Sequence, residues 1–219
     1  MDATPLRSEW TTVEHALTYL TRADQVPHCG EAEAILLEVV PKDVDRILDL
    51  GTGDGRLLGL LRIDRGDAAG VAIDFSPTML AKARERFHGD TKVQVLEHDL
   101  EKPLPDMGRF DAIVSSFAIH HCTDQRKQSL YSEIYAALTP GGVFCNLEHV
   151  APTSNELHGQ FLEAFGITEA DEDPSNKLVG LETQLHWLRE IGFDDVNCHW
   201  QWLELALFSG IRKGLTKQS

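Results

Sequence analysis

Apolar residues in this chain fall into two rhythms, short unbroken runs and stripes that recur every three or four positions, which predicts buried strands alternating with amphipathic helices. Residues 1–10 carry no period. From Thr11 or Thr12, Val13, Ala16, Leu17 and Leu20 share one helical face that ends near Ala23 and Asp24, and Pro27 bars a simple continuation. A second helix is predicted over residues 31–40, stopped by Pro41. Residues 47–50 read as a first buried strand, followed by a leucine-rich helix over 56–61, a second strand over 68–74, and a helix opened by Ser76-Pro77 and striped by Met79, Leu80, Ala83 and Phe87. Residues 92–97 form a third strand and 110–121 a fourth, with Pro103 and Pro105 in the loop between them. Asp124 is expected to cap a long helix bearing Leu130, Ile134, Ala137 and Leu138, ended by a turn at Thr139-Pro140-Gly141-Gly142. Beyond it the pattern predicts a strand over 143–150, a helix capped by Ser154, an acidic loop over 169–174, a helix over 181–191 closed by Gly192, and two strands over 196–200 and 202–211.

With 219 residues and 42% hydrophobic content, the chain is long enough for one α/β domain with a substantial core. A net charge of −15 disfavours nucleic acid and anionic membranes, because nonspecific phosphate binding needs clustered Lys and Arg. No apolar stretch approaches the ~20 residues of a membrane span. The four cysteines are scattered and no secretory leader is read, so a cytoplasmic protein is expected. A small molecule is the expected partner, with a homodimer also possible through Trp200 and Trp202.

The first strand ends in Gly51-Thr52-Gly53-Asp54-Gly55. Three alternating glycines between a strand and a helix let a ligand lie against main-chain atoms that a Cβ would push away, with the helix start directed at a phosphate or a carboxylate. A dinucleotide loop needs G-x-G-x-x-G, and here Arg56 stands where that third glycine is required. Asp74 ends the second strand a little over twenty residues beyond the first loop glycine, where an acid accepts hydrogen bonds from ribose hydroxyls.

Asp49, Gly51, Gly53 and Gly55 match the D-x-G-x-G-x-G pattern, and the chain resembles the class I S-adenosylmethionine-dependent methyltransferases. Leu138-Thr139-Pro140-Gly141-Gly142 resembles the turn before their fifth strand, and the two last strands their terminal hairpin. The resemblance covers residues 45–212 and implies an α/β, Rossmann-like, doubly wound sheet of seven strands over residues 45–219, with residues 1–44 as an N-terminal helical lid. It also implies an enzyme with S-adenosyl-L-methionine as cofactor. Asp49, Gly51, Thr52, Gly53, Asp74 and Phe75 are then candidates for the cofactor, with Met79 against the adenine, Asp99 on its exocyclic amine and Leu100 offering a backbone N–H. Ligands of open α/β sheets sit beyond the carboxyl ends of the strands, which brings Ser115, Ser116, Phe117, His120 and His121 towards the methionine end and the acceptor. Tyr19, Arg22 and His28 of the lid, together with Glu148 and Trp200, are candidate acceptor contacts, and Phe161 is a candidate pocket aromatic.

Methyl transfer from a sulfonium is an in-line displacement, and a base is needed only where the nucleophile starts protonated. His120, His121 and His149 are the candidate catalytic residues, with Glu148, His15 and His28 as further bases; imidazole titrates near neutrality. Glu148 and His149 alternate on a strand and point to opposite faces, and no metal site is expected, because adjacent strand residues diverge. The acceptor atom, whether O, N, S or C, stays open. Two other readings are a nicotinamide-dependent oxidoreductase on the same sheet and a noncatalytic S-adenosylmethionine-binding regulator.

Overall fold

The computed structural model describes residues 26–214. In chain order the elements are α1 (Cys29–Val39), β1 (Arg46–Leu50), α2 (Arg56–Leu61), β2 (Ala69–Asp74), α3 (Pro77–Arg86), β3 (Val93–Glu97), β4 (Phe110–Ser116), a 3-10 turn (Ile119–His121), α4 (Asp124–Ala137), β5 (Leu138–His149), α5 (Asn155–Phe165), a second 3-10 turn (Glu169–Asp171), α6 (Leu181–Ile191), β6 (Phe193–Trp202) and β7 (Leu205–Arg212). The seven strands form one sheet in the order β3-β2-β1-β4-β5-β7-β6, in which β7 alone runs antiparallel to both its neighbours. The order reverses between β1 and β4, and a doubly wound sheet opens its ligand crevice at such a reversal.

Alternation along the strands feeds two cores. Leu48, Leu50, Ile73 and Ile113 pack with Leu130, Tyr131 and Ile134 of α4 and Leu185 and Leu188 of α6. Ile47, Ala72, Ala112, Val114 and Cys145 pack on the other face with Ala32 and Leu36 of α1 and Leu57, Leu58 and Leu61 of α2. The described part of the expected lid, α1, is therefore a core helix on the sheet, and it begins at Cys29 rather than residue 31. The helix expected from Thr11 or Thr12, with Tyr19 and Arg22, lies outside the described residues.

Several boundaries differ from the sequence reading. The fourth strand stops at Ser116; Phe117 takes φ 50, its N–H donates to Leu147 O at 2.8 Å, and the following apolar residues turn away as a 3-10 turn. An apolar run looks the same to periodicity whether it continues a strand or leaves it. The cap of α4 is Thr123, whose Oγ1 accepts from Arg126 N at 3.3 Å, with Asp124 in the first turn. The Thr139-Pro140-Gly141-Gly142 segment lies inside β5, opposite a register shift between Phe110 and Ala112, with Gly141 at φ 86 absorbing the irregularity. Of the last two strands β6 is longer and β7 shorter than expected, and they meet at Leu203 with φ 48 instead of at Gln201.

Candidate active site

At the carboxyl end of β1, Gly51, Gly53 and Gly55 take φ of 68, 55 and 83, in the left-handed region that favours glycine. A Cβ on Gly51 would stand 2.2 Å from Ala118 Cβ, whereas beside Gly53 nothing lies within 4 Å. Thr52 N donates to Ile73 O at 2.9 Å and its Oγ1 to Asp49 Oδ2 at 2.6 Å, which pins the loop to β2 and to its own strand. Asp74 holds the other side: Oδ2 accepts from Gly53 N at 2.9 Å and Oδ1 from Ser76 N at 2.8 Å. A carboxylate has about four acceptor positions, so capacity remains for hydroxyl donors. Burial pushes the Asp49 carboxyl up to about 7 and raises that of Asp74. The helix expected to point its start at a ligand has six residues, and Arg56 N already donates to Asp54 Oδ1 at 3.2 Å; no anion site is drawn there.

A cavity of about 920 Å³ extends from this loop across the ends of β2, β3, β4 and β5. Asp49, Gly51, Thr52, Gly53, Asp74, Phe75, Met79, Asp99, Leu100, Ser116, Phe117, His120, His121 and His149 all line it. Four other candidates do not. Ser115 is fully buried and its Oγ donates to Leu50 O at 2.9 Å, tying β4 to β1. Glu148 is fully buried beneath His120. His28 sits half-exposed at the start of α1 with its ring 4.8 Å from Trp202, and Trp200 packs into the core from β6.

Phe117, Phe161, Phe165, Ile167 and Leu205 make an apolar wall, facing three imidazoles each tied to a protein partner. His120 Nδ1 lies 2.5 Å from Glu148 Oε1. The same carboxyl accepts from His149 N at 3.0 Å and from Asn146 Nδ2 at 3.3 Å. Burial pushes Glu148 up to about 7 and holds His120 well below the ordinary imidazole range, so both favour their neutral forms. His121 Nδ1 lies 2.9 Å from Ser175 Oγ, which donates to Asp173 Oδ1 at 2.7 Å, and burial followed by the neighbouring His120 takes His121 down to about 3. His149 Nε2 and His158 Nδ1 share buried Glu204 at 3.1 and 2.8 Å; the bond to Glu204 raises His158. The ring of His149 stacks on Phe161 with centroids 5.0 Å apart.

Several of these residues escaped sequence reasoning. Glu33 of α1 grips Arg56 through two bonds of 3.0 and 2.9 Å, and both line the cavity. Phe165, four residues after Phe161, was readable from helical spacing; Glu204, Ser175 and His158 carry no local signal. Among the described residues, no three His, Cys, Asp or Glu side chains converge as a metal-binding set.

A sequence profile described as a methyltransferase domain matches residues 47–142, the span from β1 through the glycine loop and the histidine turn to β5. That span is a methyltransferase domain, and the chain is similar to S-adenosylmethionine-dependent methyltransferases. A carboxy-S-adenosyl-L-methionine synthase of Desulfotalea psychrophila is 28% identical over 83% of this chain and 81% of its own. A demethylmenaquinone methyltransferase of Thermus thermophilus is 40% identical over 54% of this chain and 52% of its own. This chain thus aligns with about half the length of the Thermus relative. Among solved structures, an O-methyltransferase family protein from Burkholderia thailandensis superposes with a TM-score of 0.76 at 16% identity, over 97% of this chain and 64% of that chain. Human N-acetylserotonin methyltransferase in complex with SAM gives 0.71 at 17%, over 98% and 61%. Likeness at such identities speaks for the fold, the seven-stranded Rossmann-like sheet. No described helix is long and apolar enough to cross a membrane.

Proposed function

We propose that this protein methylates a small, apolar, planar acceptor whose nucleophile enters protonated, with S-adenosylmethionine as donor and His120 as the proton acceptor. The observation that carries this reading is the His120–Glu148 pair, on one wall of the cavity whose other end is the glycine loop.

The residues at the loop fit the donor. Open space beside Gly53 leaves main chain bare, Asp74 keeps acceptor capacity for two hydroxyls, and Asp99, Leu100 and Met79 border the same cavity where a purine edge and face would rest. The volume lies within the ~300–1,000 Å³ of small-molecule sites. When bound, the sulfonium supplies an electrophilic methyl group. The chain's own part is to orient the acceptor and exclude water, and to take one proton. Phe117, Phe161 and Phe165 offer flat apolar faces to a ring.

Proton uptake depends on the tautomer that Glu148 imposes. With Glu148 ionised, Nδ1–H of His120 donates to it and Nε2 keeps its lone pair. With Glu148 protonated, the carboxyl donates to Nδ1, Nε2 carries the hydrogen, and the base is lost. Because Glu148 is pushed up to about 7, turnover should rise as pH passes upward through that value. A base whose proton affinity is held down by burial suits an acidic hydroxyl, phenolic or enolic, better than an aliphatic alcohol.

The test is calorimetry of S-adenosylmethionine on the purified chain, followed by S-adenosylhomocysteine release over a panel of aromatic hydroxyl acceptors. Tight cofactor binding with turnover that falls by about 10²–10⁴ in His120→Gln is expected. Absence of cofactor uptake overturns the reading. The Desulfotalea relative, aligned over most of both chains, favours one second reading, in which the cofactor itself is the molecule altered. Mass analysis of the nucleoside product separates the two.

A further inference from the structure

Glu204 stands between β6 and β7 and is 1% exposed, a burial that costs free energy unless the carboxylate is paired and hydrogen-bonded. Its two oxygens serve two imidazoles from different elements. Oε2 lies 3.1 Å from Nε2 of His149, the last residue of β5, and Oε1 lies 2.8 Å from Nδ1 of His158 on α5. An ionised carboxylate only accepts, so each ring turns an N–H towards it. The other nitrogen of His158 lies 3.6 Å from Oε2 of Glu172, on the acidic loop that rims the cavity. The bond to Glu204 raises His158, and Glu172 and Glu169 act in the same sense. One buried carboxylate thus fastens α5 to the end of β5 and, through His158, to the acidic loop.

What this clasp holds is the aromatic wall. Phe161 follows His158 by one helical turn, which puts the two side chains on one face of α5. The same ring stacks on His149, with centroids 5.0 Å and planes 27° apart, so both of its neighbours end on Glu204. Phe165, one turn further, lies 4.5 Å from Phe161, and the two rings stand 6.3 and 6.5 Å from Trp202. No residue of α5 belongs to either large core; its buried Phe161 and Leu162 form a small third cluster with Leu205. A helix seated on so few buried apolar groups is held less firmly than the helices packed on the sheet, and the two bonds to Glu204 weigh correspondingly more in where its rings stand.

We propose that Glu204 is a positioning residue that sets acceptor specificity: through His149 and His158 it holds Phe161 and Phe165 in one place, and the wall so fixed takes a flat ring and resists a rounded molecule. The role rests on the reading of this end of the cavity as the seat of a planar acceptor. With the carboxylate in place the wall is preorganised, and a flat ring meets it without the cost of ordering α5. Without it α5 shifts against β5, the flat ring loses contact, and the rounded molecule is no longer turned away.

The experiment uses the full chain loaded with S-adenosylhomocysteine, which fills the nucleoside end, and compares by NMR titration the binding of 2-naphthol, a flat ring with a hydroxyl, and 1-adamantanol, a rounded one. Wild type should prefer 2-naphthol by roughly tenfold. Glu204→Gln keeps the shape of the side chain but removes its charge and one acceptor, and the preference should fall to about a third of the wild-type value or less. Affinity for S-adenosylhomocysteine, bound at the far end of the cavity, should stay as it was. In the histidine-labelled variant the titration midpoint of His158 should fall towards the ordinary imidazole value, because its carboxylate partner is gone. An unchanged preference overturns the proposal, as does a His158 midpoint that does not move; a parallel loss of S-adenosylhomocysteine affinity marks a merely structural role and overturns it too. Should Glu204→Gln fail to fold, His158→Ala decides, since it frees α5 alone from the clasp: a reduced preference supports the role and an unchanged one removes it. A wild-type chain that takes up no S-adenosylhomocysteine, or takes it up and does not prefer the flat probe, removes the reading of the site and the role together, whereas a preference that survives in Glu204→Gln removes the role of Glu204 alone.

Discussion

A fully buried carboxyl group 2.5 Å from an imidazole is worth more to a reaction as an ion than as an acid, and Glu148→Gln isolates that difference. The amide oxygen can still accept from Nδ1–H, so the ring keeps its orientation and its lone pair, but the imidazolium formed in the reaction loses its counter-charge. Turnover should fall by roughly ten- to a hundredfold, less than for His120→Gln, and its rise near pH 7 should vanish. A pH profile of the variant that keeps the wild-type rise would assign that rise to another group. How far such residues can be read from sequence depends on where their partners lie. Asp49 and Asp74 stand at fixed offsets from the glycine loop, and the loop's conformation needs them there. Glu204 reaches His149 across 55 residues and Ser175 reaches His121 across 54, distances over which no local pattern survives. Glu148 was legible as a carboxylate near the site, but its position under His120, out of reach of the cavity, follows only from the pairing of β4 with β5.

At the level of elements, the glycine loop and the histidine turn are a single unit. A Cβ at position 51 would overlap Ala118 Cβ at 2.2 Å, and φ 68 strains any side chain, so Gly51→Ala should displace the loop from Ala118 and from Asp74. We expect cofactor affinity to fall at least tenfold and the melting temperature to drop by several degrees, by about 4 °C per kcal/mol for a chain of this size. Adding Ala118→Gly removes the overlap but not the backbone strain. The double variant should therefore recover part of the lost stability, and strictly additive losses in a double-mutant cycle would show that the two residues do not touch. The same unit explains where the strand reading overran. Residues 117–119 are as apolar as a strand, yet β4 ends at Ser116, Phe117 turns left-handed, and the chain crosses beside Gly51 to deliver His120. In contrast, α3 and α5 begin where Ser76 and Ser154 accept from Met79 N and Leu157 N, a local chemistry that sequence states directly.

For the molecule as a whole, the succession of strands and helices along the chain was legible because buried parallel strands show as apolar runs separated by helical stripes, whereas the order of the strands within the sheet was not. Nor were the charges gathered inside, because their energies depend on what surrounds them. Those charges pull stability in opposite directions with pH. Asp49 rises from an ordinary 3.8 to about 7, so between these values the folded chain binds more protons than the unfolded one, and this group's contribution is lost as pH rises. His121 falls from an ordinary 6.5 to about 3; there the unfolded chain binds more protons, and this contribution is lost as pH falls. Over the shared window, from roughly pH 4 to pH 6.5, the two slopes oppose each other, while Glu148 and Asp74 act in the same sense as Asp49 and His120 in the same sense as His121. Single substitutions uncover them. Relative to wild type, Asp49→Asn should gain stability as pH rises through the window and His121→Gln as pH falls through it, each at no more than about 1.4 kcal/mol per pH unit. Urea unfolding at several pH values measures both. Parallel profiles for the three proteins would mean that neither group titrates with folding, and that the loop and the turn are far wetter than their burial implies.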